Sequence, residues 1–208
     1  MERPKAKRNF DQFLATSSTV SKRVELLKNH GDLTGSRILL LGDDDLLSIA
    51  LARTKLPAEV TVLDIDNDIL SYIQDISQKE NLKIKVQKYD ARVSMPVSYK
   101  NYFDVAFSDP PYTPSGFGTF LRRLVFATTK DANLYICYGY TLKELEKPLK
   151  IQKLLTDWGL LIREKMADFN EYSGAKSIGS HSSIYLLKKT PQTHVDEKML
   201  GGKFYTNN

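Results

Sequence analysis

The sequence predicts an α/β fold: a doubly wound sheet, mostly parallel, that ends in an antiparallel hairpin. Three observations carry the prediction. Short apolar runs that read as buried strands alternate with longer segments of helical periodicity, the pattern of a parallel sheet covered on both faces. Two of these runs end in acidic turns, Gly42-Asp43-Asp44-Asp45 and Asp109-Pro110-Pro111-Tyr112, and ligands of such sheets sit at the carboxyl ends of the strands. The last two runs, 160–167 and 183–187, follow one another with no helical pattern between them, as a hairpin requires.

Residues 1–12 are polar and basic and are expected to be poorly ordered. A first helix spans 16–29: Ser17 or Ser18 is placed to cap it, Val20, Val24 and Leu27 form its apolar stripe, and Gly31 ends it. Residues 37–41 form the first buried strand. A helix over 44–54 follows, with Leu46, Leu47, Ile49, Ala50 and Leu51 at helical spacing, and Pro57 breaks the pattern. The second strand is 60–63. The helix after it, 67–80, puts Ile69, Leu70, Ile73 and Ile76 on one face. The third, fourth and fifth strands are 83–87, 102–107 and 133–138, and residues 113–132 are left without an assigned element. A helix over 141–157 is expected to kink near Pro148. Between the two hairpin strands, 171–181 reads as a loop containing Gly174 and Gly179, and from residue 190 the chain reads as an extended tail. The domain organisation that follows is a basic arm (1–15), a catalytic domain (16–189) and a C-terminal tail (190–208).

The 208 residues are enough for one substantial core. No apolar run reaches the roughly 18 residues a membrane-spanning helix needs, and the first residues lack the apolar segment of a secretory signal. Cys137 is the only cysteine, which rules out an intrachain disulfide and makes a reducing cytoplasm the expected location. It lies in the apolar run Leu134-Tyr135-Ile136-Cys137-Tyr138 and reads as a core residue. The net charge is +5, but it is unevenly placed. Residues 1–30 carry seven Lys or Arg against three Asp or Glu, residues 188–208 four against two, and the rest of the chain one net negative charge. A nucleic-acid enzyme more often has its basic stripe beside the site, so this distribution argues against a nucleic-acid partner.

The acidic turns are where chemistry is expected. A glycine after the first strand lets the backbone turn sharply against a ligand, and the Gly-x-Gly-x-x-Gly fingerprint of dinucleotide binding is absent. Asp43, Asp44 and Asp45 would repel a pyrophosphate and suit a sulfonium or an ammonium. One aspartate here needs no reason beyond capping a helix; three exceed that requirement. Asp64, at the end of the second strand and about 20 residues on, stands where an acid holds ribose hydroxyls, whereas Asp66 and Asp68 read as solvated acids at a helix start. Asp90, after the third strand, is placed to accept a hydrogen bond from an adenine amino group. In Asp109-Pro110-Pro111-Tyr112, the prolines stiffen a loop whose carbonyls are free to receive an amine. Asp109 is placed to take the proton, and Tyr112 to pack on the amine or its alkyl chain. Phe169-Asn170-Glu171-Tyr172 follows the sixth strand, and Glu171 is a candidate for a distal ammonium. His30, His181 and His194 have no metal-ligand spacing, so no metal is expected.

The strand and helix layout resembles class I methyltransferases and spermidine synthases, a Rossmann-like arrangement. A closer resemblance rests on Asp11-Gln12, on the stretch from Arg23-Val24 to Gly31-Asp32-Leu33, and on the run from Arg37 through Gly42-Asp43-Asp44-Asp45 to Leu51. With Asp109-Pro110-Pro111 and Phe169-Asn170-Glu171-Tyr172, these residues resemble the branched-chain polyamine synthases, or N4-bis(aminopropyl)spermidine synthases, over roughly residues 10–190. The resemblance implies transfer of an aminopropyl group from decarboxylated S-adenosylmethionine to a nitrogen of a spermidine-like polyamine, with release of methylthioadenosine. It implies that Asp109 is the acid/base residue and that Asp43, Asp44 and Asp45 belong to an acidic wall. Archaeal members carry an N-terminal winged-helix-like domain for which this chain has no room, and Tyr112 stands where some relatives have an acid.

The expected assignment is therefore Asp109 and Tyr112 in catalysis; Gly42, Asp43, Asp64 and Asp90 at the nucleoside; and Asp44, Asp45, Pro110 and Glu171 at the acceptor. A polyamine is the expected partner, no membrane is involved, and a homodimer is the assembly considered. Two other readings stand beside this one. The Asp-Pro-Pro-Tyr loop also suits an S-adenosylmethionine-dependent N-methyltransferase acting on an exocyclic amine of DNA or RNA, with Tyr112 stacked on a flipped base. A non-catalytic, degenerate subunit is the third.

Overall fold

The computed structural model describes residues 2–173, 180–195 and 201–206. Helices α1 (Ser17–Asn29), α2 (Leu47–Arg53), α3 (Asn67–Lys79), α4 (Pro114–Ala127) and α5 (Glu146–Asp157) surround a sheet. Its strands are β1 (Arg37–Leu41), β2 (Glu59–Asp64), β3 (Ile84–Lys88), β4 (Phe103–Ser108), β5 (Thr128–Tyr138), β6 (Leu160–Glu171) and β7 (His181–Lys189). The strand order is β3-β2-β1-β4-β5-β7-β6. The first five are parallel, and β7 runs antiparallel to both β5 and β6. This is the doubly wound sheet with a terminal hairpin that the sequence predicts.

The strands divide their side chains between two cores by the pleat. On one face Leu39, Leu41, Ala106, Leu134, Ile136 and Leu187 pack beneath α4 and α5. On the other, Ile38, Leu40, Val105, Phe107, Cys137 and Leu186 pack beneath α1, α2 and α3. Each fully buried leucine or isoleucine stabilises the fold by roughly 1.5–3 kcal/mol. The sheet reverses its winding between β1 and β4, so the crevice lies at their carboxyl ends. Ser108 Oγ donates to the Leu41 carbonyl at 2.7 Å and locks the two strand ends together.

Several elements differ from expectation. Thr16, not Ser17 or Ser18, caps α1, accepting from the Thr19 N–H. The buried face of α1 is Thr19, Arg23, Leu26 and Leu27, with Val20 and Val24 at its margin. The unassigned stretch 113–132 holds α4, started by a Thr113 cap with Pro114 behind it, and the first residues of β5. Pro148 lies in the first turn of α5, where its missing N–H costs nothing, so the helix starts there instead of kinking. β6 runs on to Glu171 and β7 starts at His181, so both ends of the expected loop belong to strands; Gly174 and Gly179 lie outside the described residues. Described residues of both the arm and the tail pack against the domain. Lys7 Nζ reaches Asp66 and Asp68, each at 2.6 Å, and Gln12 is buried against Asp66. Asp66 is thus a buried cap of α3, not a solvated acid. Tyr205 is buried, with Phe10 and Phe204 at its ring, and Thr206 bonds Asp11. Among the described residues no helix is long and apolar enough to cross a membrane.

Candidate active site

The turn after β1 begins with Gly42 at φ +77°, a conformation natural to glycine. Its N–H donates to the Leu63 carbonyl at the end of β2. The three aspartates do not open the next helix. Leu46 adopts φ +61°, and α2 starts only at Leu47. Holding a leucine in the left-handed region costs about 1 kcal/mol, and the tight turn that results aims the aspartates in different directions. Asp43 is buried and accepts the Ser48 N–H at the head of α2; burial pushes its carboxyl up to about 8. Asp45 is buried too, taking the Ala15 N–H and the guanidinium of Arg23. Asp44 is the member of the triplet that lines the open space. Burial, then the neighbouring charges of Asp45 and Asp109, push its carboxyl well up.

That space is a cavity of about 290 Å³ whose walls include Asp44, Asp109, Pro110, Tyr112, Tyr172 and Tyr140. A smaller one of about 60 Å³ adjoins it, between Gly42, Asp64, Tyr89 and the arm and tail residues Phe10 and Tyr205. Asp44 and Asp109 line both. Asp64 accepts the Asp43 and Asp66 N–H groups, one on each oxygen, which fixes its carboxylate at the smaller cavity.

Asp109, at the end of β4, is held by three donors. Arg23 Nη2 lies at 2.7 Å, Tyr172 Oη at 2.6 Å and Tyr112 Oη at 2.8 Å. Burial and the carboxylate of Asp109 raise both phenols, which keeps them as neutral donors. The ring of Tyr112 packs edge-on against Tyr138. Tyr172 Oη also meets Ser182 Oγ at 2.8 Å, and Asn170 Nδ2 donates to that same oxygen and to Cys137 Sγ. Cys137 is a core residue, as its apolar run indicates; burial pushes its thiol up.

The expected site residues thus separate into groups. Gly42, Asp44, Asp64, Asp109, Pro110 and Tyr112 meet at the two cavities. Asp43 and Asp45 lie behind Asp44 instead of beside it, because the Leu46 turn points them inward. Asp90 is clasped by its neighbour Arg92 at 2.6 Å, which lowers its carboxyl below the usual range, and the flanking Tyr89 and Ala91 line the smaller cavity in its place. Glu171 is exposed, and alternation along the chain brings Asn170 and Tyr172 inward instead. Sequence reasoning gave Arg23 and Tyr172 no role. The signal for Arg23 was a charge at an apolar position of the α1 period; for Tyr172 it was the strand parity that turns Glu171 outward.

The fold is class I methyltransferase-like, with an acidic cavity at the β1/β4 switch point. The likeness to an S-adenosylmethionine-dependent methyltransferase of Clostridium acetobutylicum is one of fold alone: TM-score 0.63 at 11% identity, over 84% of this chain and 92% of that one. The chain belongs to the branched-chain polyamine synthase family: residues 1–200 match the family model described as the branched-chain polyamine synthase A C-terminal domain. It is 34% identical over 174 residues to the N(4)-bis(aminopropyl)spermidine synthase of Methanocaldococcus jannaschii, covering 82% of this chain and 49% of that one. An uncharacterized protein of the same organism is 41% identical over 185 residues, 89% of this chain and 47% of that one. The chain therefore spans about half the length of the curated relatives it matches. The branched-chain polyamine synthase of Thermus thermophilus, solved in complex with N4-aminopropylspermidine and 5'-methylthioadenosine, superposes with TM-score 0.86 at 28% identity, covering 99% of this chain and 65% of that one.

Proposed function

We propose that the site transfers an aminopropyl group from decarboxylated S-adenosylmethionine to a nitrogen of a spermidine-like polyamine. The observation that carries this is the meeting of Asp44 and Asp109 in one cavity, with Asp109 held by three donors. The family membership and the ligands of the Thermus thermophilus relative support the same reading.

The nucleoside of the donor takes the smaller cavity, with Gly42 giving close backbone approach and Asp64 receiving the ribose hydroxyls. Its aminopropyl arm carries an ammonium and no carboxylate, and Asp44 faces it where both cavities meet. An ordinary S-adenosylmethionine would set its carboxylate against Asp44, Asp109 and Asp11, which line the larger cavity. The acceptor lies along Pro110, Tyr112 and Tyr140. A neutral nitrogen attacks the methylene on the sulfonium; the new C–N bond forms as the C–S bond breaks, and its electron pair stays on sulfur, leaving a neutral thioether. The reaction releases one proton, lost from the acceptor nitrogen before it attacks. A polyamine nitrogen titrates near the lysine value of roughly 10.4, so a base must present it uncharged. Asp109 receives that proton. The hydroxyls of Tyr112, Tyr172 and Ser182 supply three protons to four short contacts, so the cluster takes one more without losing a bond.

Nucleic-acid methylation fits less well. Tyr112, the residue that would stack on a flipped base, has its hydroxyl tied to Asp109 and its ring against Tyr138. The deciding experiment incubates the protein with spermidine and each donor separately and reads the products by mass spectrometry. An aminopropyl increment with the decarboxylated donor alone is expected. A methyl increment with the ordinary donor, or no increment with either, overturns the proposal.

A further inference from the structure

Arg23 stands on α1 where the helical period asks for an apolar side chain, and only 1% of it is exposed. A guanidinium so placed is costly unless its hydrogens are taken up by good partners. Here they are. Nη1 meets Asp45 at 2.6 Å, Nη2 meets Asp109 at 2.7 Å and Nε meets Asn170 at 2.9 Å, while the ring of Phe107 lies 5.0 Å from the guanidinium carbon. One planar fork therefore ties α1 to the turn after β1, the loop after β4 and strand β6. A lysine, with a single point charge, has no such fork.

We propose that Arg23 is the positioning residue of this site: by holding Asp45 and Asp109 on one guanidinium, it keeps both carboxylates in place at close quarters and fixes Asp109 toward the acceptor nitrogen. This rests on reading the cavity as an amine-alkylating site. The groups that face Asp109 are Arg23 from α1, Asp44 and Asp45 from the turn after β1, Tyr112 from its own loop, the thiol of Cys137 from β5, and Tyr172 just beyond β6. Burial keeps the phenols and the thiol neutral. The charge balance at Asp109 thus sets Arg23 against Asp45, which shares its guanidinium. Asp45 is buried away from the cavity, so it enters the chemistry only through this balance.

Two substitutions push the balance in opposite directions. Arg23→Met leaves Asp109 beside Asp45 with no guanidinium between them; Asp45→Asn gives the whole guanidinium to Asp109. The ratio of variant to wild-type kcat/KM for aminopropyl transfer is measured from pH 5 to 9, which divides out the acceptor's own titration. For Arg23→Met the midpoint of activity loss on the acid side moves up by about 1–3 pH units. For Asp45→Asn it moves down by about one unit, again the size of a neighbouring-charge effect. Arg23→Lys keeps the charge without the fork: the midpoint stays near wild type while kcat falls at least about tenfold, as for a misplaced reacting group. Ratios that do not vary with pH, or shifts of the same sign in both variants, overturn the proposal. If Arg23→Met fails to fold, judged by its thermal melt, Asp45→Asn and Arg23→Lys carry the test. A carboxyl-carbon NMR titration, with Asp109 identified by the resonance lost in Asp109→Asn, reads the same shifts without turnover. A wild type that transfers no aminopropyl group would sink the functional reading, and this titration would still decide the role of Arg23.

Discussion

The hydroxyls of Tyr112 and Tyr172 lie 2.9 Å apart, and each donates to a different oxygen of Asp109. The two phenols come from elements far apart in sequence, the loop after β4 and the residue following β6, so they fix the carboxylate from two sides. A hydrogen bond to a charged group contributes roughly 1.5–3 kcal/mol. Tyr172→Phe is therefore expected to lower kcat/KM for aminopropyl transfer by about ten- to a hundredfold. Tyr112→Phe should cost less, because Tyr172 also engages Ser182. Steady-state kinetics on both variants tests this, and unchanged kinetics in Tyr172→Phe would remove the phenols from the argument.

Asp109→Asn tests the proposed base. The amide retains the shape of the carboxylate but accepts no proton from the amine. General-base groups typically supply a factor of about 10²–10⁴, so kcat should fall by that much. Binding of methylthioadenosine, measured by calorimetry, should stay within a few-fold of wild type. A variant that kept a near-wild-type kcat would show that the proton leaves by another route.

Gly139 sets the position of Tyr112 from outside the loop. A methyl group at Gly139 would come within 2.7 Å of Tyr112 Cε2 and 3.1 Å of the His181 carbonyl. The ring would have to move, and its hydroxyl would leave Asp109. Gly139→Ala should therefore resemble Tyr112→Phe in kcat and in pH profile, and combining the two should cost little more than either alone. Fully additive losses in that double-mutant cycle would separate Gly139 from Tyr112.

How much of this site was legible in the sequence follows from these residues. Gly42, Asp64 and the Asp-Pro-Pro-Tyr loop were legible because each is tied to a strand end, and strands announce themselves by short apolar runs. The inward turn of Asp43 and Asp45 was not. It depends on Leu46 adopting φ +61°, which no periodicity signals in a leucine. Helix α4 was missed between two strands, although Thr113-Pro114 is a helix-start signal and Phe117, Leu121 and Leu124 keep helical spacing. Arg23 and Tyr172 escaped because their partners are tertiary: Asn170 and Asp109 are more than eighty residues from the arginine.

The His30–Glu164 contact links α1, which carries Arg23, to β6, which carries Asn170. His30 Nδ1 faces the Leu26 carbonyl and Nε2 faces Glu164, each at 2.9 Å. Both neighbours accept hydrogen bonds, so the ring satisfies both only when doubly protonated. The Glu164 hydrogen bond, then the Leu26 carbonyl, raises the imidazole above its usual 6.5. A group raised on folding stabilises the protein fully below its unfolded value and loses that contribution as pH climbs through the folded value. The stabilisation should therefore be complete below about pH 6.5 and fade above it. His30→Gln should lower Tm relative to wild type at pH 5.5 and by much less at pH 9. An equal deficit at both would mean that the imidazolium plays no part.

The acidic wall makes a thermodynamic prediction that separates donor from product. In the free site burial holds the carboxyl of Asp43 at about 8 and that of Asp44 well above its usual value, so at pH 7 the wall carries less negative charge than its sequence implies. A cation beside Asp44 favours the ionised carboxylate. Binding decarboxylated S-adenosylmethionine, which brings a sulfonium and an ammonium, should then release protons. Methylthioadenosine, which carries no charge, should release none. Calorimetric titrations at pH 7 in two buffers of different ionisation enthalpy read this directly: the apparent enthalpy should differ between buffers for the donor and agree between them for the product. Asp44→Asn should abolish most of the difference and weaken the donor more than the product, because the interaction it removes is with the ammonium and not with the nucleoside. Buffer-independent enthalpies for both ligands would show that Asp44 is already ionised in the empty site, and the wall would then attract the donor by fixed charge alone.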